Sequence, residues 1–580
     1  MEFKFIDAVI ENIALNLEVL EKDTNNYTLL LFQHKGVFSV SDDKFGNETD
    51  CSAKFSAFID LAKAENVSLA LTPEYSCPWC SVERIVQNQD KWPNNSKLWA
   101  LCCESITPDE IWAFKQAYAN ANVLIHFDEA ALNHGGGVLL DPVCYVFKAQ
   151  VNQAEKLIVL VQFKTQHMGV WDTPIERDKL IWGNEVYVLR NTENSVYLFT
   201  NICSEAATFA VTNDLQRQLD YRWDEQPYII LNPQMNPEPS HEYFRDFRKT
   251  ILRYQHKDVI SLNWAGKTGL SGRDEALVPL SKSSVVLKTT EIDYDNLERF
   301  VRNHQKGLYY VNRKANNHAY YLNPFEEVFL IANLKPASSG IPGALSRRTG
   351  PEVRNLFKWN NENEVFTEFE QVDDGFINFL QSLNCNNATF LNDQISFIDK
   401  ERLVNLSCGL ASVKKDDRRW YRLDKLETFV QDENETVNRL TYVYDESSEE
   451  IRRCYIDRID CLNHIIIPDK TLFPENLKVF KGNCSEVMFF NDGGYNYKYN
   501  LITTDGKNRA TVAYIGRKEE GSALKTLRQM QSLFEKEDQS KKLVVVWYKE
   551  NVTDIKPACE QLPPSVNDDS TVDPNSIMSA

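Results

Sequence analysis

Three apolar runs in this sequence each end, one step on, at a side chain able to take part in covalent catalysis. Val67 to Pro73 leads to Glu74, Leu157 to Phe163 leads to Lys164, and Val196 to Ile202 leads to Cys203. A thiol is a nucleophile, a carboxylate can take its proton, and an ammonium can hold charge that develops on a substrate. Each residue alone has an ordinary reading. A cysteine at a strand end packs as a small hydrophobe, and a charged residue there is solvated. Their joint occurrence at strand exits is what points to chemistry.

The elements that must position them follow from the pattern between Tyr27 and Asn263. Short β-branched or aliphatic runs (Tyr27 to Phe32, Val67 to Thr72, Val123 to Phe127, Leu157 to Phe163, Val196 to Ile202, Tyr228 to Asn232, Val259 to Asn263) alternate with amphipathic stretches of helical length. The helix candidates are Ala53 to Glu65, Asp109 to Ala121, Glu205 to Leu219 and His241 to Tyr254. Continuous apolar strands alternating with helices predict an α/β layered architecture with a buried sheet. The carboxyl ends of parallel strands would then open onto one crevice and gather Glu74, Lys164 and Cys203.

The blocks Leu71-Thr72-Pro73-Glu74-Tyr75, Phe163-Lys164-Thr165-Gln166-His167 and Thr200-Asn201-Ile202-Cys203-Ser204-Glu205 resemble, in order and spacing, the three signatures of the nitrilase (carbon–nitrogen hydrolase) superfamily. Glu176, in Ile175-Glu176-Arg177-Asp178, matches the second glutamate that the family places between its lysine and its cysteine. The match covers about Tyr27 to Asn263, and more loosely the chain to Leu334. It implies a nitrilase-like α-β-β-α layered sandwich. It also implies hydrolysis of a non-peptide carbon–nitrogen bond, an amide rather than a nitrile, through a Cys203 thioester. In that scheme Glu74 relays protons, and Lys164 and the backbone N–H of Ser204 hold the oxyanion. Glu176 would orient Lys164 or the substrate. No cofactor and no metal is implied. Ser204 departs from the bulkier residue common after the family's cysteine, which leaves the substrate open. A free thiol ionises near pH 8.5. Lys164 and the start of the helix at Glu205 are therefore expected to draw the Cys203 thiol downward.

At roughly 150 residues per domain, 580 residues hold two to four domains. The densest Pro/Gly/Ser cluster runs from Lys335 to Pro351. The expected division is a hydrolase domain over 1–334, a linker over 335–351, a smaller mixed α+β domain over 352–550 and a disordered tail over 551–580. In the second domain, Leu440 to Tyr444, Thr511 to Ile515 and Leu543 to Tyr548 read as strands, and Gly521 to Glu537 as a solvated helix.

The net charge of −19, from 64 Lys+Arg against 83 Asp+Glu, argues against nucleic acid and anionic lipid as partners. Acidic residues through Met1 to Leu20 do not suit a signal peptide, no run is long enough for a membrane helix, and thirteen cysteines suit a reducing compartment. A cytoplasmic location is expected. The expected partners are a small amide or nitrile, further copies of the chain in a homodimer or larger oligomer, and a protein bound through residues 352–550. A scaffold that keeps the fold only for assembly is the competing reading.

Other motifs have plainer readings. Cys77-Pro78-Trp79-Cys80 followed by Cys102-Cys103 has the wrong second spacing for a zinc ribbon and reads as packed thiols, with an oxidation switch as the alternative. Val372-Asp373-Asp374-Gly375 lacks a partner aspartate on an upstream strand, so it does not read as a polymerase site. Gly493-Gly494 and Asp505-Gly506 are turns, not phosphate loops.

Overall fold

The computed structural model describes residues 1–22, 26–133, 137–167, 175–212, 215, 219–237, 241–253, 256–271, 277–278, 280–288, 302–303, 306–313, 317–334, 350–370, 403–404, 406–409, 446–491, 495–496, 498–534, 537–551 and 554–560. The chain divides into two compact units, Met1–Ile377 with Tyr421–Glu450, and Asn378–Trp420 with Ile451–Ala580.

The first unit is mixed α/β. One sheet carries, in spatial order, Val365–Phe369, Glu352–Asn360, Glu327–Leu334, Tyr27–Gln33, Leu69–Leu71, Leu98–Cys102, Pro142–Val151, Ala154–Phe163 and Val123–Phe127. A second carries Glu2–Phe5, Glu185–Arg190, Tyr197–Thr200, Tyr228–Pro233, Lys257–Leu262, Ser284–Lys288, Asn317–Leu322 and Leu308–Arg313. Helices Ser52–Ala64, Trp79–Gln87 and Pro108–Tyr118 bury Phe55, Phe58, Val82, Ile85 and Phe114 in one core with Phe32, Ala70 and Val159 of the first sheet. Each of these Val, Ile and Phe side chains contributes about 1.5–3 kcal/mol by leaving water. The Pro108–Tyr118 helix starts where it does because Thr107 and Glu110 form a reciprocal capping box with Pro108 in the first turn. On the second sheet, Phe209 of helix Glu205–Thr212 meets Phe199 at 5.6 Å and Phe247 of helix Glu242–Ile251 at 5.8 Å between ring centroids.

The two sheets are joined by a buried glutamine. Gln162 donates from Nε2 to the Thr200 carbonyl at 2.9 Å, and its Oε1 accepts from the Tyr187 N–H at 3.2 Å and the Tyr145 hydroxyl at 3.3 Å. Unpaired polar groups at that depth would be costly, so these bonds also set the offset between the sheets.

Several expectations are corrected. Both sheets are mixed, not parallel: Ala154–Phe163 lies antiparallel to Pro142–Val151, and Glu185–Arg190 antiparallel to Tyr197–Thr200. The domain division expected at 352 is also displaced. Glu352–Asn360 pairs with Glu327–Leu334, and Val365–Phe369 follows it, so the first sheet continues to Phe369. Leu356 and Phe357 are buried there, and Phe366 packs on Phe32 at 5.3 Å, which gives that edge its apolar cover. Residues 335–349, Leu440 to Tyr444 and Val372 to Gly375 lie outside the described residues.

In the second unit Leu501–Ile502, Arg509–Arg517, Val544–Lys549 and Ile555–Cys559 form a four-stranded sheet. Helix Glu520–Gln531 buries Ala523, Leu527 and Met530. The tail expected from 551 is thus ordered at Ile555–Cys559, which pairs antiparallel with Val544–Lys549. Among the described residues, no helix is long and apolar enough to cross a membrane.

Candidate active site

Glu74 leaves the strand Leu69–Leu71 through Thr72 and Pro73, and every oxygen it carries is held. Its Oε1 accepts from Lys164 Nζ at 2.7 Å, its Oε2 from the Met235 N–H at 2.6 Å, and its backbone carbonyl from Trp264 Nε1 at 2.7 Å. Tyr75, next in the chain, has φ of +58°, a left-handed conformation uncommon for a non-glycine residue.

Lys164 follows the strand Ala154–Phe163. Its N–H donates to the Asp141 carbonyl at 2.9 Å, and its own carbonyl accepts from Gly183 at 2.8 Å. The side chain is buried and its ammonium also donates to Glu176, on the short helix Ile175–Lys179. Glu176 accepts in turn from the Tyr75 hydroxyl at 2.9 Å.

Cys203 follows Tyr197–Thr200 in the second sheet. It too is left-handed, with φ of +39°, and its N–H is tied to the Pro233 carbonyl at 2.9 Å. Such strain persists only where neighbours over-determine the backbone, and sites of reaction are where it collects. The Ser204 N–H has no partner among the described residues. Glu205 accepts from the N–H groups of Ile202 and Thr165, both at 2.6 Å, and so joins the two strand exits.

Glu74, Lys164 and Glu176 are joined by ion pairs, and all three charges act on the Cys203 thiol, so the four side chains singled out in the sequence come together, but not in the crevice of one sheet. Glu74 and Lys164 leave the first sheet and Cys203 leaves the second. Asp141, Tyr75, Met235 and Trp264 complete the surroundings. Asp141 was absent from the sequence expectations although a signal for it exists. The two-residue turn Asn152-Gln153, both with positive φ, closes a hairpin whose register pairs Pro142 with Phe163 and so brings Asp141 opposite Lys164.

Burial disfavours charge throughout the cluster, and the neighbours decide each outcome. Burial presses the Lys164 amine down, but its carboxylate neighbours, Glu176 and Glu74 foremost, outweigh it and hold the amine well above the usual lysine range. The Cys203 thiol goes the opposite way from the sequence expectation. Burial and the Glu74 carboxylate raise it well above an ordinary cysteine, Lys164 opposes them, and Glu176 adds to the rise. Burial also lifts Glu205 to about 7 against the pull of its two N–H donors.

One carboxylate oxygen from each of Glu74, Asp141 and Glu176 lies within 4.8 Å of the others, a donor set of the kind that holds hard cations. Lys164 Nζ contacts all three, so a positive charge of the chain itself sits among them. Elsewhere in the unit, a cavity of about 690 Å³ is lined by Asp43, Glu48, Cys51, Trp79, Cys80 and Phe114 among others, and Glu74, Lys164 and Cys203 are not in its wall. The cysteine pairs noted in the sequence separate. Cys77 is buried beside Cys103, whose thiol lies 3.7 Å from Cys144, whereas Cys80 is exposed and 3.0 Å from Ser52 Oγ. Twelve described cysteines are free thiols.

No family model matches the sequence, and no curated protein matches it. Among solved structures, a mutant of the amidase from Nesterenkonia sp. AN1, showing covalent addition of the acetamide moiety of fluoroacetamide at the active site cysteine, is similar at 9% identity, with a TM-score of 0.25, over 46% of this chain and 84% of that one.

Proposed function

We propose that this chain hydrolyses a non-peptide carbon–nitrogen bond, an amide in preference to a nitrile, through a thioester on Cys203. The observation that carries the reading is the buried Glu74–Lys164–Glu176 ion cluster beside a strained cysteine at a strand exit. The mixed α/β fold, with helices packed on the first sheet, is compatible with it.

A thiol held above its usual range does not wait as a thiolate, so attack and proton loss go together. Glu74 takes the Cys203 proton as sulfur bonds to the carbonyl carbon. The carbonyl π electrons move to oxygen, where Lys164 and the Ser204 N–H receive the charge. When the C–N bond breaks, Glu74 returns the proton to the departing amine and leaves the thioester. Water then attacks, gives a proton to Glu74, and the C–S bond breaks with that proton going back to sulfur. Lys164 stays close to its carboxylates throughout, and Glu176 keeps it aimed.

The test uses the full chain with a panel of small amides and nitriles. Intact-mass measurement follows the acyl adduct, and ammonia release follows turnover. The expected result is an adduct on Cys203 and release that falls at least about 10³-fold in Cys203→Ala. Turnover unchanged in Cys203→Ala, or neither adduct nor ammonia from any member of the panel, would overturn the reading.

A further inference from the structure

The cluster contains one carboxyl that the mechanism above does not use. Asp141 is fully buried, and among the described residues neither of its oxygens is met in hydrogen-bond geometry, the Tyr75 hydroxyl donating to Glu176 and giving Asp141 only a weak downward pull. The positive charge beside it is Lys164 Nζ at 3.7 Å from Oδ2, beyond hydrogen-bond length. The other two carboxylates are each compensated twice, Glu74 by Lys164 and the Met235 N–H, and Glu176 by Lys164 and the Tyr75 hydroxyl. Three carboxyls share one ammonium, and the one without a hydrogen bond is the one where negative charge is least tolerated.

We propose that Asp141 is a positioning residue that carries a proton at neutral pH. As a neutral acid it fills the third side of Lys164 without drawing the ammonium from Glu74 and Glu176, and adds no further negative charge to the site of Cys203. The inference rests on the hydrolase reading for the role of Cys203, but its test does not require turnover.

The groups facing Asp141 come from four elements. They are Glu74 and Tyr75 after Leu69–Leu71, Cys102 at the end of Leu98–Cys102, Lys164 after Ala154–Phe163, and Glu176 on Ile175–Lys179. Burial holds the Tyr75 hydroxyl and the Cys102 thiol well above their usual ranges, so both stay neutral and neither adds a charge beside Asp141. Burial together with Glu74 and Glu176 raises the Asp141 carboxyl well above the usual aspartate range against the pull of Lys164 and, more weakly, of the Tyr75 hydroxyl. The consequence is electrostatic. When Glu74 takes the thiol proton, negative charge develops on the substrate oxygen beside Lys164, and a neutral Asp141 leaves the ammonium's charge to meet it without leaving Glu74 and Glu176.

The experiment compares the full-length chain with Asp141→Asn, which keeps the shape and fixes the neutral state. Site-resolved mass spectrometry reads the rate of Cys203 alkylation by iodoacetamide, and infrared difference spectra read the carbonyl stretch of a protonated carboxylic acid. The expected result is an alkylation rate within about threefold of the parent at neutral pH, together with loss of one acid band in the variant. An ionised Asp141 predicts the reverse. Removing its charge would lower the thiol by a unit or more, accelerate alkylation about tenfold or more, and remove no acid band, and this result would overturn the proposal. The band decides a rate change that falls between these values. Should Asp141→Asn fail to fold, a pH titration of the parent with isotope-labelled aspartate reads the same band, and its absence at neutral pH overturns the proposal. Loss of the hydrolase reading would show as no ammonia release with both readouts unchanged, so the two failures are distinct.

Discussion

Glu205 accepts a hydrogen bond from the Thr165 N–H at 2.6 Å and, through its other oxygen, one from the Ile202 N–H at 2.6 Å. One carboxyl thus bridges the residue after Lys164 and the residue before Cys203, across two sheets. Burial lifts it to about 7 from 4.5, with the two N–H groups resisting. The folded chain therefore holds this proton more tightly than the unfolded one. Its contribution to stability is full below pH 4.5 and is lost as pH rises through about 7. Glu205→Gln cannot ionise and offers one acceptor atom to two buried N–H groups. It should melt lower than the parent at pH ~5, by about 1–3 kcal/mol, with the gap narrowing by pH ~8. Calorimetry across that range checks it, and parallel curves would sink the assignment.

The raised Cys203 thiol predicts slow alkylation. At neutral pH iodoacetamide should label exposed Cys80 and Cys454 before Cys203, and the Cys203 rate should climb as the solution becomes alkaline. Lys164→Ala removes the one group that lowers the thiol, so its Cys203 should react at least about tenfold more slowly still. Peptide mapping of a time course separates the sites. Cys203 labelled first at neutral pH would contradict this picture.

Gly183 donates its N–H to the Lys164 carbonyl at 2.8 Å, and a Cβ built on it would lie 2.5 Å from the Phe163 carbonyl oxygen. No flexible side chain can yield there, because the obstacle is the backbone that ends at Lys164. Gly183→Ala should cost about 1–3 kcal/mol and displace the ammonium from Glu74. A lowered melting temperature together with reduced kcat is expected, and a variant with parental values of both would refute the close approach.

Glu326 sits 2.7 Å from Lys54 Nζ and 3.4 Å from His34 Nδ1, with 23% of its side chain exposed. Burial pushes its carboxyl up, but His34 and Lys54 prevail and hold it at about 2. This contribution is present above pH 4.5 and is lost as pH falls toward about 2. Glu326→Gln should lose on the order of 3 kcal/mol at neutral pH and show a flatter acid-unfolding curve. Equal acid midpoints for the two proteins would remove the pair from the account of acid stability.

What was legible in the sequence is local. The apolar runs that end at Glu74, Lys164 and Cys203 declare strands because burial on both faces demands unbroken apolar side chains, and the structure has strands at Leu69–Leu71, Ala154–Phe163 and Tyr197–Thr200. The helix expected over Asp109 to Ala121 and the four reactive side chains were readable for the same reason, since helix patterns and strand exits depend on near neighbours. Three matters belonged to the tertiary structure. The reactive exits come from two sheets joined through Gln162, which no periodicity encodes. Glu352–Asn360 reaches back past a Pro/Gly-rich segment to complete the first sheet, because an edge strand seeks a partner whatever its distance along the chain. The Cys203 thiol rises instead of falling, because the sign of its shift is a balance among burial, Glu74, Glu176 and Lys164 that exists only when those groups share one buried space.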